Sequence, residues 1–221
     1  MMVNYKKLKK KCGEKMIDKI TEFLTNKIRK EMPEIDDEKA EVINYGLQIL
    51  LGEVPKTFIM LAIAYLLGVF KLSLVTFLIL LPYRGFSGGF HLKTHIGCII
   101  STCTFYCGTA LLAKYIVLEN IVKYIFIILL AIFGVTMIRL YAPADTEDVP
   151  IISKKIRKQK QILSYVSFII GLAIAIVIKD NTISNIIIFG YLMQTCMITR
   201  LAYKLTNNKY GYEVYENATI N

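Results

Sequence analysis

The sequence predicts an all-α polytopic integral membrane protein with about six transmembrane helices and an N-terminal amphipathic interfacial helix. Of the 221 residues, 55% are hydrophobic and only 20% are charged, a balance that is not typical of soluble globular domains. The apolar residues also lie in successive blocks of roughly 15 to 25, the length of helix that crosses a ~30 Å hydrocarbon layer. These observations exclude long disorder, a disulfide-rich secreted fold and a large soluble enzyme.

The charge of the chain points to a lipid surface. The net charge is +10, from 27 basic and 17 acidic residues, and the basic residues cluster beside the hydrophobic blocks, as the positive-inside bias requires. We therefore expect an anionic lipid membrane as partner and no nucleic acid. The five cysteines are odd in number and four lie in or beside apolar blocks, which argues against a disulfide framework.

The N-terminal region, residues 1–39, is predicted to hold a basic amphipathic helix. Between residues 5 and 31, lysines alternate with apolar residues at helical spacing. Such a helix lies on an anionic cytoplasmic surface, although packing on the protein itself is the alternative. Pro33 is expected to end this helix, and Asp36 or Asp37 to cap the next one.

Residues 40–205 are predicted to form the transmembrane catalytic domain. Glu53, Pro55 and Lys56 interrupt the apolar block 42–70, which predicts a kinked or split helix. The block 72–81 is only ~15 Å long as a helix, so we expect it to be a half-helix or to share a crossing with its neighbours. The clearer crossings are 96–117, 121–140, 162–178 and 183–199.

The basic residues predict the orientation of the chain. The segment 154–160 is the densest basic stretch and is predicted to be a cytoplasmic loop. Counting back across two helices places residues 83–94 on the same side. Six crossings also make both termini cytoplasmic, with residues 206–221 as a polar tail.

Residues 83–98 are the densest in reactive groups, with both histidines of the chain, three glycines in five positions and a cysteine. Ionisable residues where a loop enters a membrane helix are functional candidates. Cys98 as nucleophile and His91 as its base would form a cysteine hydrolase pair. Seven residues along one straight helix correspond to ~10.5 Å of rise, so His91 must lie outside the helix and fold back.

Neighbouring residues are candidate supports for this pair. Gly88 and Gly89 would allow the chain to fold back and could present backbone N–H groups to an oxyanion, while Arg84 could bind a carboxylate with two hydrogen bonds. Glu53 and Lys56 are three residues apart in an apolar helix, so we expect them to pair with each other or with a site residue. Orientation of His91 by Glu53 is a further hypothesis.

The same residues allow two other interpretations. His91, His95 and Cys98 have the i, i+4, i+7 spacing of one helical face and could bind zinc, but no fourth ligand or glutamate base accompanies them, so we predict no metal or cofactor. Alternatively, they are ordinary packing residues. The acidic, proline-bounded loop 142–150 is by itself a rigid cytoplasmic turn. The remaining membrane cysteines are expected to be small core residues: Cys103, Cys107 and Cys196.

Taken together, these motifs resemble the accessory gene regulator protein B (AgrB) family of membrane cysteine endopeptidases. The resemblance covers residues 40–205 and includes the six-helix layout. The motifs that carry it are Arg84, Gly88-Gly89, His91 followed by Cys98 after seven residues, and the loop 142–146.

The resemblance implies a specific activity in the bacterial cell membrane. It implies that an AgrD-like propeptide loses its C-terminal tail near the cytoplasmic face, through a thioester on Cys98, and closes into a thiolactone autoinducing peptide for quorum sensing. By position, His91 would be the partner of Cys98, and Arg84 and Gly89 would support the site. His95 is outside the pattern. The resemblance also implies a homodimer.

Other activities remain open from the sequence. A small-solute or peptide transporter would use charged residues in the membrane to line a path, and it would tolerate Cys98→Ala, unlike the peptidase. A metal-dependent membrane hydrolase would instead lose activity to chelators. The charged residues available to a transporter are Glu53, Lys56, Arg139 and Arg200.

Overall fold

The computed structural model describes residues 15–32, 34–92, 94–147, 150–151 and 153–220. Apart from an isolated parallel bridge between Gly88 and Ala144, the regular structure of these residues is helical, which confirms the all-α prediction. The helices are α1 (Lys15–Glu31), α2 (Asp37–Leu66), α3 (Phe70–Ser87), α4 (His95–Tyr115), α5 (Asn120–Tyr141), α6 (Lys154–Val177), α7 (Asn181–Met197), α8 (Arg200–Leu205) and α9 (Gly211–Ile220).

Four helices in the described part of the chain are long and apolar enough to cross a membrane: α3, α4, α5 and α6. They expose large apolar side chains, such as Ile128, Ile132 and Ile169, on surfaces that suit lipid. The chain is therefore a membrane protein, and its membrane part includes at least these four apolar helices. Crossing by α2 and α7, which would complete the predicted six, stays a prediction.

The centre of the bundle is α7, which packs against α3, α4, α5 and α6. Tyr83, Phe168 and Tyr191 meet there, with ring centroids 4.9 to 5.6 Å apart. A Cβ at Gly171 would collide with the Tyr191 ring, so the glycine permits α6 and α7 to approach closely. These aromatic contacts join α3, α6 and α7.

The first two helices form a hairpin in which α1 packs against α2. Thr21 and Thr25 are buried, whereas Ile20 and Phe23 are 44% and 67% exposed. An exposed apolar pair suits a lipid surface, but the interfacial position of α1 stays a prediction, and residues 1–14 and Pro33 lie outside the described residues.

The prediction for the start of α2 is confirmed at Asp36, whose carboxylate accepts a hydrogen bond from the backbone N–H of Lys39 at 2.8 Å. The helix then continues through Pro55 without a break. The expected half-helix over 72–81 is wrong, because α3 has 18 residues and includes Pro82 and Arg84. Protein acceptors surround the Arg84 guanidinium, as described below, so this charge does not end the helix.

Two smaller expectations are also wrong. The basic segment 154–160 is the start of α6 and not a loop: Ser153 caps the helix through a hydrogen bond from the Ile156 N–H, and lysine and arginine are good helix formers. Cys196 is exposed, whereas Cys107 is buried as expected and Cys103 is half-buried. The neighbours of Cys196 on α7, Gln194 and Thr195, are fully buried, so the helix turns a different face to the core.

Candidate functional site

The connection between α3 and α4 carries the candidate catalytic residues. His91 lies in this non-helical connection, and Cys98 lies in the first turn of α4. The prediction that His91 is outside the helix is therefore confirmed. It also removes the basis of the zinc alternative, because His91 does not share a helical face with Cys98.

The first turn of α4 carries Cys98 and has a defined cap. The Thr94 hydroxyl caps the helix by accepting a hydrogen bond from the Gly97 N–H at 3.1 Å, and the Cys98 N–H donates to the Thr94 carbonyl at 2.9 Å. Side chains in a helix lean toward its N-terminus, where the helix dipole stabilises negative charge. Cys98 is half-buried, so a substrate could still reach it.

A charged pair from α2 lies next to this cysteine. Lys56 and Glu53 form an ion pair of 2.7 Å, with side chains that are 13% and 49% exposed, which confirms that the two residues pair. The Lys56 ammonium is also close enough to the Cys98 side chain to interact with it electrostatically. Both charges act on His91 as well. Three separate parts of the chain therefore converge at one place.

His91 is shifted toward its neutral form. Its pKa is below the ordinary value, first because surrounding protein removes water from the imidazole, and second because Arg84 is positively charged. His91 as a whole residue is nevertheless exposed. No hydrogen bond joins Glu53 to His91 among the described side chains, so the orienting role of Glu53 stays a prediction.

Arg84 holds the connection between α3 and α4 in place. Its guanidinium donates hydrogen bonds to the backbone carbonyls of Gly88 (3.4 Å) and Phe90 (3.2 Å) and to the side chain of Gln194 (3.2 Å). These contacts use donors that the predicted substrate carboxylate would need. The structure therefore favours a positioning role for Arg84 over carboxylate binding.

Gln194 is a site residue that the sequence reasoning missed. It is fully buried, and its amide nitrogen donates to the Ser87 hydroxyl and to the Gly88 carbonyl, both at 2.8 Å. The available signal was an amide side chain inside an apolar helix, because a buried amide requires partners.

Gly88 and Gly89 lie where other groups approach the backbone too closely for a side chain. Their N–H groups bind protein carbonyls and are not directed at an oxyanion. The Gly88 N–H donates to the Arg84 carbonyl at 3.0 Å and the Gly89 N–H to the Ala144 carbonyl at 2.9 Å, so the predicted oxyanion role is wrong for both groups. Their φ values are 72° and 139°, a region that favours glycine. A Cβ would meet the Ala144 carbonyl at Gly88 and the Arg84 guanidinium at Gly89.

The acidic loop packs against these glycines and is more than a free turn. The Ala144 N–H donates to the Ser87 carbonyl at 2.8 Å. The Asp145 side chain is only 1% exposed and pairs with Arg157 at 3.1 Å, and it accepts the Ile151 N–H at 2.8 Å. The loop 142–146 is thereby fixed to both the start of α6 and the end of α3.

The C-terminal region contacts the same site. The Asn208 side chain donates to the His91 carbonyl at 2.9 Å, and the Tyr203 hydroxyl donates to the Ala144 and Asp145 carbonyls at 2.9 and 3.1 Å. The sequence reasoning treats residues 206–221 as a tail and missed these contacts, since nothing in the local pattern indicates them.

The described residues contain no group of three side chains that could hold a metal ion. The His95 side chain lies outside this description, so its relation to Cys98 is not assigned. Of the charged residues that a transporter would use, Glu53 and Lys56 pair with each other, Arg200 pairs with Glu213, and Arg139 is exposed at the end of α5.

Comparisons with known proteins agree with the resemblance of the motifs. A model of the family described as accessory gene regulator B matches residues 21–198. A putative AgrB-like protein of Listeria innocua is 32% identical over 185 residues, covering 82% of this chain and 88% of its own. One from Clostridium acetobutylicum is 23% identical, covering 88% and 91%. The accessory gene regulator protein B of Staphylococcus epidermidis is 23% identical, covering 91% and 98%. No solved structure matches.

Proposed function

Because the chain belongs to the accessory gene regulator B family, which gives it a role in quorum sensing and a propeptide of the AgrD type as partner, we propose that it is a membrane cysteine endopeptidase. In this proposal it removes the C-terminal tail of the propeptide and permits closure of a thiolactone ring. Cys98 is the nucleophile and His91 is its acid–base partner.

The observation that carries the proposal is that the Lys56 charge on α2 acts both on Cys98 at the start of α4 and on His91 in the α3–α4 connection. The Lys56 ammonium and the positive end of the α4 helix dipole can both stabilise the negative charge that develops on the Cys98 sulfur as its proton leaves. A histidine whose pKa is lowered is neutral and able to accept a proton at pH 7. A cysteine that only fills space in the core would not require an ammonium group or a histidine near it.

The chemistry follows from these positions. His91 accepts the proton of the Cys98 thiol as sulfur attacks the scissile carbonyl carbon. The C–N bond then breaks, the departing amine takes the proton from His91, and the N-terminal part of the peptide remains as a thioester on Cys98. The thiol of a substrate cysteine attacks this thioester, which releases Cys98 and closes the ring. One thioester replaces another, so this exchange needs no further reactant.

Water would compete with ring closure by hydrolysing the thioester. The substrate thiol is tethered to the acyl group, and its high effective concentration favours cyclisation. A site at the membrane interface also limits the access of water. We therefore propose that tethering of the substrate thiol and this position together favour closure over hydrolysis.

The supporting residues have distinct proposed roles. Arg84, Gly88 and Gly89 hold the backbone that carries His91, through the contacts described above. Glu53 fixes the Lys56 ammonium beside Cys98 through their 2.7 Å ion pair. Lys56 then stabilises the thiolate in the attacking state.

The placement of the molecule is part of the proposal. The basic start of α6 and the candidate site lie at the same end of the bundle, since Arg157 contacts the loop that packs on Gly88. The positive-inside bias then favours a cytoplasmic site. We also propose that the chain divides into residues 1–39, 40–205 and 206–221. In the same proposal α1 is attached to anionic lipid and the protein is a homodimer.

The test is coexpression with the small peptide encoded beside this gene, followed by intact-mass analysis of peptide and enzyme. We expect wild type to release a C-terminal fragment and to carry an acyl adduct on Cys98. Cys98→Ala and His91→Ala should release none. Cys196→Ala is the matched control, because this cysteine is exposed and outside the site, and it should process the peptide like wild type.

Equal processing by the wild type and Cys98→Ala would contradict the thiolate mechanism. Processing that a chelator abolishes would favour the metal-dependent hydrolase instead. Movement of the intact peptide across the membrane by Cys98→Ala would favour the transporter.

A further inference from the structure

The C-terminal residues 199–213 fold back onto the candidate site and are held there by aromatic contacts. The Tyr210 ring stacks on Tyr203, with centroids 4.1 Å apart and planes 4° from parallel, and its hydroxyl donates to the Ile198 carbonyl at 2.8 Å. Tyr203 in turn binds the loop 142–146. The turn that follows α8 therefore has a fixed position relative to the site.

Asn208 lies in this turn, and its side-chain amide has a defined orientation. The amide nitrogen is 2.9 Å from the His91 carbonyl, 2.9 Å from the Thr206 hydroxyl and 3.2 Å from the Thr206 carbonyl. The Thr206 hydroxyl donates its own proton to the Ala202 carbonyl, so it accepts from Asn208. All three neighbours are acceptors, which identifies the nitrogen as the atom that faces His91.

Asn208 completes the fixation of the His91 backbone. Arg84 binds the carbonyl of Phe90, which belongs to the peptide group before His91. Asn208 binds the carbonyl of His91 itself, which belongs to the peptide group after it. Because each peptide group is planar, holding both groups restrains the two backbone dihedral angles of His91 and the direction of its Cα–Cβ bond.

We infer that Asn208 is a positioning residue for His91, because it holds the backbone from which the imidazole acts on Cys98. The inference rests on the proposed function, because it assigns a role in the Cys98–His91 pair. Asn208 lies beyond residues 21–198, the part of the chain that the family model matches. Proton transfer depends steeply on geometry, so loss of this hydrogen bond should slow the reaction of Cys98.

The test measures the reactivity of Cys98 without any peptide substrate. Full-length protein in membranes is treated with iodoacetamide at pH 7, and the alkylated fraction of the Cys98-containing peptide is followed by mass spectrometry. We expect Asn208→Ala and the isosteric Asn208→Asp to slow alkylation of Cys98 roughly five- to tenfold, the effect of one hydrogen bond. Asn207→Gly is the control, since residue 207 is exposed with φ 54°, and should react like wild type.

A double substitution separates positioning from general structural damage. If Asn208 acts only through His91, then Asn208→Ala should cause no further slowing in a His91→Ala background. Equal slowing in both backgrounds, or wild-type reactivity of Asn208→Ala, would overturn the inference while the proposed peptidase stands. If His91→Ala itself leaves alkylation unchanged, the Cys98–His91 pair is wrong and the inference falls with it.

Discussion

His91 is the residue whose protonation should set the pH range of the enzyme. Surrounding protein and the positive charge of Arg84 both disfavour the imidazolium, so the pKa of His91 lies below its ordinary value. His91 therefore remains neutral, and able to accept a proton, at a lower pH than an unperturbed histidine does.

We predict that kcat/KM for peptide cleavage decreases on the acidic side with a midpoint below pH 6.5, which is the ordinary pKa of histidine. The rate should decrease only when the pH drops through the lowered pKa, because the protonated ring cannot act as a base. The measurement is the cleavage rate of a synthetic propeptide by the reconstituted enzyme between pH 4 and 8. A midpoint at or above pH 6.5 would contradict the lowered pKa.

Gly89 is a residue at which a single methyl group should disturb the candidate site directly. A Cβ there would displace the Arg84 guanidinium, and φ is 139°. We predict that Gly89→Ala lowers peptide processing at least tenfold, because Arg84 could no longer hold the Phe90 carbonyl. The measurement is the processed fraction in the coexpression assay, corrected for the amount of enzyme in the membrane.

Gly85→Ala is the matched control for this prediction. A Cβ at Gly85 has open space around it, and alanine is the better helix former. This variant should process the peptide like wild type. Wild-type processing by Gly89→Ala would show that the contact between residue 89 and Arg84 does not matter for the site.

At the scale of elements, the loop 142–146 joins the end of α3 to the start of α6. Its anchor is Asp145, whose buried carboxylate pairs with Arg157 and accepts the Ile151 N–H. Arg157 also lies 4.4 Å over the Tyr212 ring, so the C-terminal segment depends on the same contact. Loss of one partner leaves a charge in a buried place, which is costly.

We predict that Asp145→Asn lowers the free energy of unfolding by about 3 kcal/mol. The double variant Asp145→Asn, Arg157→Gln should recover part of this loss, because it removes both charges. The measurement is the unfolding of the purified protein in detergent. Glu147→Gln, on the neighbouring residue, is the control and should be close to neutral. A double variant that is less stable than either single variant would argue against the pair.

The elements also show what a sequence can and cannot predict here. The helices, the Asp36 cap and the non-helical position of His91 follow from local patterns, namely hydrophobic spacing, capping residues and glycines. The end of α3 was not predicted, because whether Arg84 ends a helix depends on Gln194, 110 residues away. The pairing of Gly88 with Ala144 and of His91 with Asn208 was also missed, since such contacts leave no local periodicity.

For the whole molecule, the contacts place α7 between the same two ends as the four apolar helices, and they place the second half of α2 alongside α4. Near one end, the Asn185 side chain on α7 donates to the Ile116 carbonyl after α4. At the other end, Gln194 binds Gly88. On α2, Lys56 lies beside Cys98, and the Met60 carbonyl accepts from the Cys107 thiol further along α4. These two helices therefore leave the site end in the same direction.

The number of crossings can be tested by cysteine labelling in a chain whose five native cysteines are replaced by serine. The positions are Lys27, Lys179 and Lys209, which are exposed in α1, after α6 and after α8. With six crossings and a cytoplasmic site, a membrane-impermeant maleimide should label Lys179→Cys in intact cells. It should label Lys27→Cys and Lys209→Cys only after permeabilisation.

The pattern of labelling separates the possible topologies. If α2 does not cross, residue 27 lies on the same side as the start of α3 and is labelled in intact cells. If α7 does not cross, residue 209 remains on the side of residue 179 and is likewise labelled. Labelling of Lys27→Cys and Lys209→Cys without Lys179→Cys would mean that the whole bundle is inverted. The site would then face away from the cytoplasm, where the propeptide is made, so this outcome would contradict the proposed function as well as the topology.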